Sequence, residues 1–255
     1  MYDQQMKTIE VIPDPPVITI DGTAGSGKGT ISLQLAKKLG WHFLDSGVLY
    51  RALALLYLWH SEGLNLNLSG LITDPKLVNL SKTTQTENLL INLASAMQVE
   101  IDDRQNIFLS HNNKNRDITL EVRSEICGSL ASQVAVFPKV RAVLLEIQRH
   151  FLRPPGLVAD GRDMGTVVFP NAVLKIFLDA DAKIRATRRH LQLKELGVGG
   201  TLHNRVNELS ERDLRDSSRV AAPLKPAADA IIIDTTTMTI PEVFAIVVEQ
   251  VNLIV

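Results

Sequence analysis

Gly22-Thr23-Ala24-Gly25-Ser26-Gly27-Lys28 has the residue types and spacing to hold a polyphosphate. The backbone N–H groups of a glycine-rich loop can converge on an anion at a helix N-terminus, and a lysine closing the loop adds a positive charge. Gly29 follows Lys28, so the hydroxyl that commonly holds Mg²⁺ arrives one place late, at Thr30. Asp160 offers the complementary half of such a site. It ends the apolar run Gly156–Ala159 and opens Asp160-Gly161-Arg162-Asp163-Met164-Gly165-Thr166, so it is a water-mediated Mg²⁺ partner for the loop, or the start of a charged tight turn.

Arginine is the third ingredient. Arg51 follows a Ser46-Gly47 turn that opens a helix, a second place where free N–H groups and a cation could meet an anion. Farther on come Arg185, Arg188, Arg189, Arg205, Arg212, Arg215 and Arg219. Arg212, Asp216 and Arg219 are spaced i, i+4, i+7 and share one helix face, with Arg215 beside them. The plain alternative is a solvated face with an internal Arg212–Asp216 pair. Arg123, Ser132 and Arg141 are polar residues in helical stretches that surface exposure would explain equally well.

These residues need a frame. Val17–Ile20 is a short apolar run, Asp21–Gly27 a turn, and Ile31, Leu35, Ala36 and Leu39 mark a helix that Gly40 stops. Trp41–Asp45 predicts a second strand, and Val48 to about His60 a helix. From Gly63 to about Asn115 the chain turns polar, and Leu89–Leu93, Val99–Asp102 and Ile107–Ser110 alternate as strands of a small inserted antiparallel sheet. Helix returns from Ile118 through Leu130 and from Val140 to Phe151. Strands are predicted at 156–159 and 173–178, a helix from Asp181 to about Leu196, a flexible connector at Gly197–Gly200, and a buried strand at 230–234. Thr239, Pro241 and Glu242 form a capping box for a last helix ending near Asn252. The fold class is α/β.

Composition limits the alternatives. A chain of 255 residues can bury a sizeable core, and one domain with an insertion accommodates it better than two independent domains. A formal net charge of −1 argues against bulk attraction to nucleic acid or lipid, so a basic site must be a local cluster. The single cysteine, Cys127, has no partner for an internal disulfide and reads as a buried thiol in a reducing cytoplasm. No run reaches the roughly 20 apolar residues a bilayer requires. Residues 1–16 read as a loose tail.

The combination resembles the bacterial cytidylate kinases, a P-loop nucleoside monophosphate kinase family. Its carriers are the Lys-Gly-Thr loop, Leu44-Asp45-Ser46-Gly47 with Tyr50-Arg51, Ala131-Ser132-Gln133-Val134-Ala135 with Arg141, and Asp160 to Pro170. Glu211-Arg212-Asp213 through Arg215-Asp216 to Arg219 completes the set. The resemblance covers nearly everything after the tail. It departs at Thr23-Ala24, where Pro-Ser is common, and at Ser129, where Asn is usual. It implies a P-loop NTPase-type parallel sheet flanked by helices, one kinase domain over 17–255, a monophosphate-binding insert near 63–150 and a mobile helical lid near 190–215. It also implies transfer from ATP, with Mg²⁺, to CMP or dCMP, by a cytoplasmic monomer with no nucleic-acid or membrane partner. Gly22 to Thr30, Lys28 among them, would hold ATP, Arg51 and Arg162 would hold the acceptor phosphate, and Ser46 would be a further substrate-binding residue. Ser132, Arg141, Asp163 and Arg219 would surround the base, Arg212 and Asp216 would lie near the sugar, and Arg189 and Arg215 would reach the ATP phosphates from the lid.

A monophosphate already carries an anionic oxygen at neutral pH, so this chemistry needs positioned cations and no strong general base. Other readings remain. An adenylate or shikimate kinase would share the loop but not the acceptor pocket. A nucleotide-switched binding protein would want Asp-x-x-Gly and Asn-Lys-x-Asp, and Asn113-Lys114-Asn115-Arg116 misses the latter by one residue.

Overall fold

The computed structural model describes residues 14–61, 80–102, 104–195 and 201–254. A five-stranded parallel sheet carries the fold, in the order β2 (His42–Asp45), β6 (Leu157–Gly161), β1 (Val17–Gly22), β7 (Leu174–Asp179), β8 (Ile231–Asp234). Strand β1 is buried at every position because it has neighbours on both edges and helices on both faces. Successive residues point to opposite faces. Val17, Leu157 and Ala159 join one apolar cluster, and Ile18, Ile20 and Val158 the other.

The second cluster is covered by α1 (Lys28–Leu39) through Ile31, Leu35 and Ala36, and by α8 (Ile240–Asn252) through Val243, Val247 and Val251. The first is covered by α2 (Ser46–Ser61), α4 (Glu125–Val134) and α5 (Pro138–Arg149). It continues without a break into α3 (Thr84–Ala96) and an antiparallel sheet of β3 (Gln98–Ile101), β4 (Ile107–His111) and β5 (Lys114–Asp117). The insert therefore shares the core of the main domain rather than building its own. Helices α6 (Ala182–Glu195) and α7 (Leu202–Ser218) pack on the loop after β1, where Ala24, Ala186 and Leu209 form a small apolar cluster. No helix among the described residues is long and apolar enough to cross a membrane.

Several local expectations are corrected. Leu89–Leu93 belongs to α3, not to a strand. Thr83 caps that helix by accepting from Thr86 N at 3.2 Å, and Thr86, Leu90, Leu93 and Ala94 are buried at helical spacing. Residues 118–130 are not one helix. A 3₁₀ turn, Glu121–Arg123, ends at Ser124, whose hydroxyl accepts from Cys127 N at 3.2 Å and starts α4 afresh. Strand β5 has no hydrophobic signal, since all four residues are exposed. It forms because Asn112 and Asn113 take positive φ (50° and 61°) in a two-residue turn that pairs His111 with Lys114. The Ser46-Gly47 turn is the first turn of α2, and Asp45 accepts from Val48 N at 3.2 Å. The capping box at Thr239 forms, with Thr239 N donating to Glu242 Oε2 at 2.7 Å. Gly197–Gly200 and residues 1–13 of the tail lie outside the described residues.

The close crossing of β1 and β7 carries a stability prediction. A Cβ on Gly22 would lie 2.0 Å from Leu178 O, whereas one on Gly40, at φ 66°, meets nothing within 4 Å. Gly22→Ala is expected to cost roughly 3 kcal/mol or more in urea unfolding, because backbone must move. Gly40→Ala carries only the left-handed penalty of about 1–2 kcal/mol.

Candidate active site

In an open parallel sheet, ligands bind beyond the carboxyl ends of the strands. Here those ends bring together the loop after β1, Asp45 of β2 and Asp160 of β6, and the last two are register partners. A cavity of about 350 Å³ opens there, within the usual size for a small-molecule site. Its walls come from the loop, α2, α4, the turn after β6, α6 and α7, with Ile101, Gln105 and Ile107 from the small sheet.

Side-chain donors fix two of the loop's carbonyls. Lys28 Nζ donates to Thr23 O at 3.1 Å and Ser26 Oγ to the same oxygen at 3.0 Å, while Arg185 Nη1 donates to Ala24 O at 3.0 Å. Thr23 Oγ1 is held by Asp179 at 2.9 Å, and Ala24 packs on α6 and α7, so Thr23-Ala24 fits this setting. Gly29 has no side chain because a Cβ would sit 3.2 Å from Asp160 Oδ2. Asp160 is buried, and its Oδ1 has no hydrogen-bond partner. Burial pushes its carboxyl up to about 7 against the attraction of Lys28. The same burial, helped by Arg162 and opposed by Asp160, brings Lys28 down to about 7. An unsatisfied buried carboxylate oxygen suits a divalent cation. No group of three metal-ligating side chains exists among the described residues, so the protein would share the ion with phosphate oxygens, as Mg²⁺ sites usually do. Thr30, which carries the late hydroxyl, is exposed and outside the cavity lining.

Beyond the loop the cavity is strongly cationic. Eight lysine and arginine side chains line it against five carboxylates, in a chain of net charge −1. Arg51 donates through Nη1 to Val122 O and to Ser124 O, the latter at 3.2 Å. Arg162 donates to Asp216 Oδ2 at 3.2 Å, and Ser132 to Asp216 Oδ1 at 3.0 Å. The internal Arg212–Asp216 pair is therefore not made; Asp216 reaches across to β6 and α4. Burial and then repulsion from Arg51 and Arg162 bring Arg212 down to about 10, and its Nε has no partner. Gly128 makes the crowding possible, since a Cβ would lie 2.9 Å from Arg51 Nη2 and 3.2 Å from Arg212 Nη1.

At the far end Arg141 and Asp163 form a buried ion pair, with Arg141 stacked 5.6 Å from the Tyr50 ring and Arg219 nearby. Asp163 opens a wide helical turn, Met164–Val168, in which Val168 N donates to Asp163 O at 3.2 Å and Phe169 N to Met164 O at 2.7 Å. Asp21, next to the end of β1, holds that turn by accepting from Met164 N and Gly165 N at 2.8 Å each.

Ala24, Gly25, Lys28, Gly29, Ser46, Arg51, Ser132, Arg141, Asp160, Arg162, Asp163, Arg189, Arg212, Asp216 and Arg219 thus line one cavity, whereas Gly22, Thr23, Ser26, Gly27 and Thr30 are not among its lining. Neither is Arg215; its guanidinium faces α4, 3.3 Å from Ser132 Oγ and 3.5 Å from Ser129 Oγ. Asp45, Tyr50 and Glu125 also line the cavity, the first two from stretches that carry the resemblance but without an expected role at the site. Asp45 carried the same signal as Asp160, a carboxylate closing an apolar strand, whereas Glu125 carried none.

The profile of the family described as cytidylate kinase matches residues 18–253. The chain belongs to the cytidylate kinase family. Proteins named cytidylate kinase are 46% identical to it in Photobacterium profundum (233 residues, 90% of this chain and 92% of that one) and in Proteus mirabilis (228 residues, 89% and 92%). One from Coxiella burnetii is 46% identical over 237 residues, covering 93% and 92%. The match spans both the P-loop half of the cavity and the insert, so this family member is an enzyme of the phosphotransferase class.

Lys28 sits in this kinase site on bonds to a loop carbonyl rather than in the apolar core. Lys28→Ala is expected to lower turnover roughly a hundredfold or more while leaving the melting temperature within a few degrees. Near-normal turnover in the folded variant would contradict the polyphosphate role of the loop.

Proposed function

We propose that this chain transfers the γ-phosphoryl group of ATP to CMP and dCMP, giving CDP and dCDP. The observation that carries the reading is the division of one cavity into a cationic end at the P-loop and a buried Arg141–Asp163 pair at the far end. A nucleoside monophosphate is an anion joined to a hydrogen-bonding base, and the cavity offers partners for both. An acceptor-phosphate oxygen forms the new bond to the γ-phosphorus as the bond to the ADP oxygen breaks in line.

In this reading the loop N–H groups and Lys28 bind the β- and γ-phosphates. Asp160 holds Mg²⁺ directly or through water, and the ion supplies charge neutralisation across the phosphates. Arg51, Arg162 and Arg212 hold the acceptor phosphate, with Ser46 at the start of α2 beside them. Arg189, from α6, serves the transferring group. Arg215 is assigned a different part, holding α7 against Ser129 and Ser132. The insert near 63–150 forms the acceptor side, and the segment near 190–215 acts as the lid that excludes water, a competing acceptor.

The base end accounts for selection. Cytosine presents an amino donor beside acceptors at N3 and O2, so its edge needs one acceptor and at least one donor. Asp163 is the acceptor and Arg141 and Arg219 are donors; Ser132 can donate only in exchange for its bond to Asp216. Uracil would set a carbonyl oxygen against the carboxylate and leave buried groups unpaired. Coupled ADP release with CMP, dCMP, UMP, AMP and shikimate tests the assignment. CMP and dCMP are expected to lead, and Asp163→Ala to reduce kcat/KM for CMP more than for UMP. An unchanged CMP to UMP ratio would move base selection to Arg141 and Arg219. Arg141→Ala strands the Asp163 carboxylate, so it is expected to depress both substrates and to lower stability.

A further inference from the structure

One carboxylate in the cavity has no role in the scheme above. Asp45 caps α2, Asp160 faces Lys28, Asp163 pairs with Arg141, and Asp216 joins Arg162 to Ser132. Glu125 instead stands among the cations at the phosphate end. It is the first residue of α4, with a side chain only 15% exposed, and it accepts from Arg189 Nε across the cavity. Arg51 and Arg212 also act on it: although burial alone would raise its pKa, Arg189, Arg51 and Arg212 together hold it below the ordinary glutamate value. Helix α4 does not need it as a cap, because the Ser124 hydroxyl already fills that place.

Arg189 is engaged through all three of its nitrogens in this arrangement. Its Nε donates to Glu125, its Nη1 to Gln192 Oε1 at 2.8 Å and its Nη2 to Arg123 O at 2.8 Å. With three of its five N–H groups already bonded, Arg189 has only two left for a phosphate, and the one charged acceptor among its partners is the carboxylate. Phosphate and carboxylate are alike in what they offer an arginine, namely paired anionic oxygens.

We propose that Glu125 is an internal stand-in for phosphate, which neutralises the Arg51, Arg189 and Arg212 cluster while no nucleotide is bound and must release Arg189 Nε before a polyphosphate can take that donor. The proposal rests on the kinase reading for the identity of the ligand. Glu125 competes with the incoming anion twice, by occupying Arg189 and by subtracting one unit of charge from the end of the cavity that must attract phosphates. It also ties α6 to α4, so exchange of Arg189 from carboxylate to phosphate releases that link and rewards the ligand in one step.

Isothermal titration of the full chain with inorganic tripolyphosphate tests this without requiring turnover. Glu125→Gln keeps the side chain's size and removes its charge, and is expected to bind tripolyphosphate about tenfold tighter than the parent. In an Arg189→Met background the same change is expected to gain much less, because half of the competition has gone. Equal or weaker binding by Glu125→Gln overturns the proposal. So does loss of folding in both Glu125→Gln and Glu125→Ala, which would make the residue a structural brace. The kinase reading fails separately: a parent protein that releases no ADP with CMP retires it, whatever the tripolyphosphate titrations give.

Discussion

Charge repulsion among buried cations is the constraint around which the structure is arranged. Lys28, Arg51, Arg162 and Arg212 meet at the carboxyl edge of the sheet, and burial together with like charges pulls both Lys28 and Arg212 down from their ordinary values. Such a cluster is stable only because the fold supplies carboxylates beside it and because packing elsewhere carries the cost. Asp160, Asp216 and Glu125 offset the repulsion in part. The remainder is a standing attraction for an anion that a charge-neutral cavity of the same shape would lack.

The frame serves that cluster in two ways. Parallel strands deliver the loop, Asp45 and Asp160 to one edge, since every strand of the sheet ends on the same side. Helix α7 then closes the ring from above. Its Asp216 reaches Arg162 and Ser132, while its Asp213 meets Arg185 at 2.6 Å, and Arg185 in turn holds the carbonyl of Ala24. A displacement of α7 would therefore be felt both at the glycine-rich loop and at Arg162, the two groups proposed to hold ATP and the acceptor phosphate. That coupling is a chain of contiguous ion pairs and hydrogen bonds joining the two halves of the cavity.

Much of this was legible in the sequence because the signals are local. The loop is written in seven consecutive residues, and the strand ends in apolar runs closed by aspartate. What escaped was decided by partners far along the chain or by turns. Leu89–Leu93 fits either a short alternating strand or a helix, and only the Thr83 cap and the burial of Leu90, Leu93 and Ala94 decide it. Strand β5 is held by main-chain pairing to β4 and an Asn112-Asn113 turn, which no hydrophobic pattern reports. Asp216 was placed on the correct helix face, yet its partner Arg162 is 54 residues away. Glu125 is one acidic residue at a helix start, and its meaning comes wholly from arginines on α2, α6 and α7. Arg215 shows the converse, since shared spacing with Arg212 did not bring it into the cavity.

On this physical picture the cation cluster is strained without phosphate and stabilised with it. Thermal melting of Arg212→Met, alone and with saturating CMP and ADP, tests it most directly. Removing one of the crowded guanidinium groups is predicted to raise the melting temperature of the free protein and to shrink the stabilisation that the nucleotides confer, so the order of variant and parent reverses between the two conditions. A variant that melts below its parent without nucleotide, and gains as much as the parent when nucleotide is added, would contradict the account.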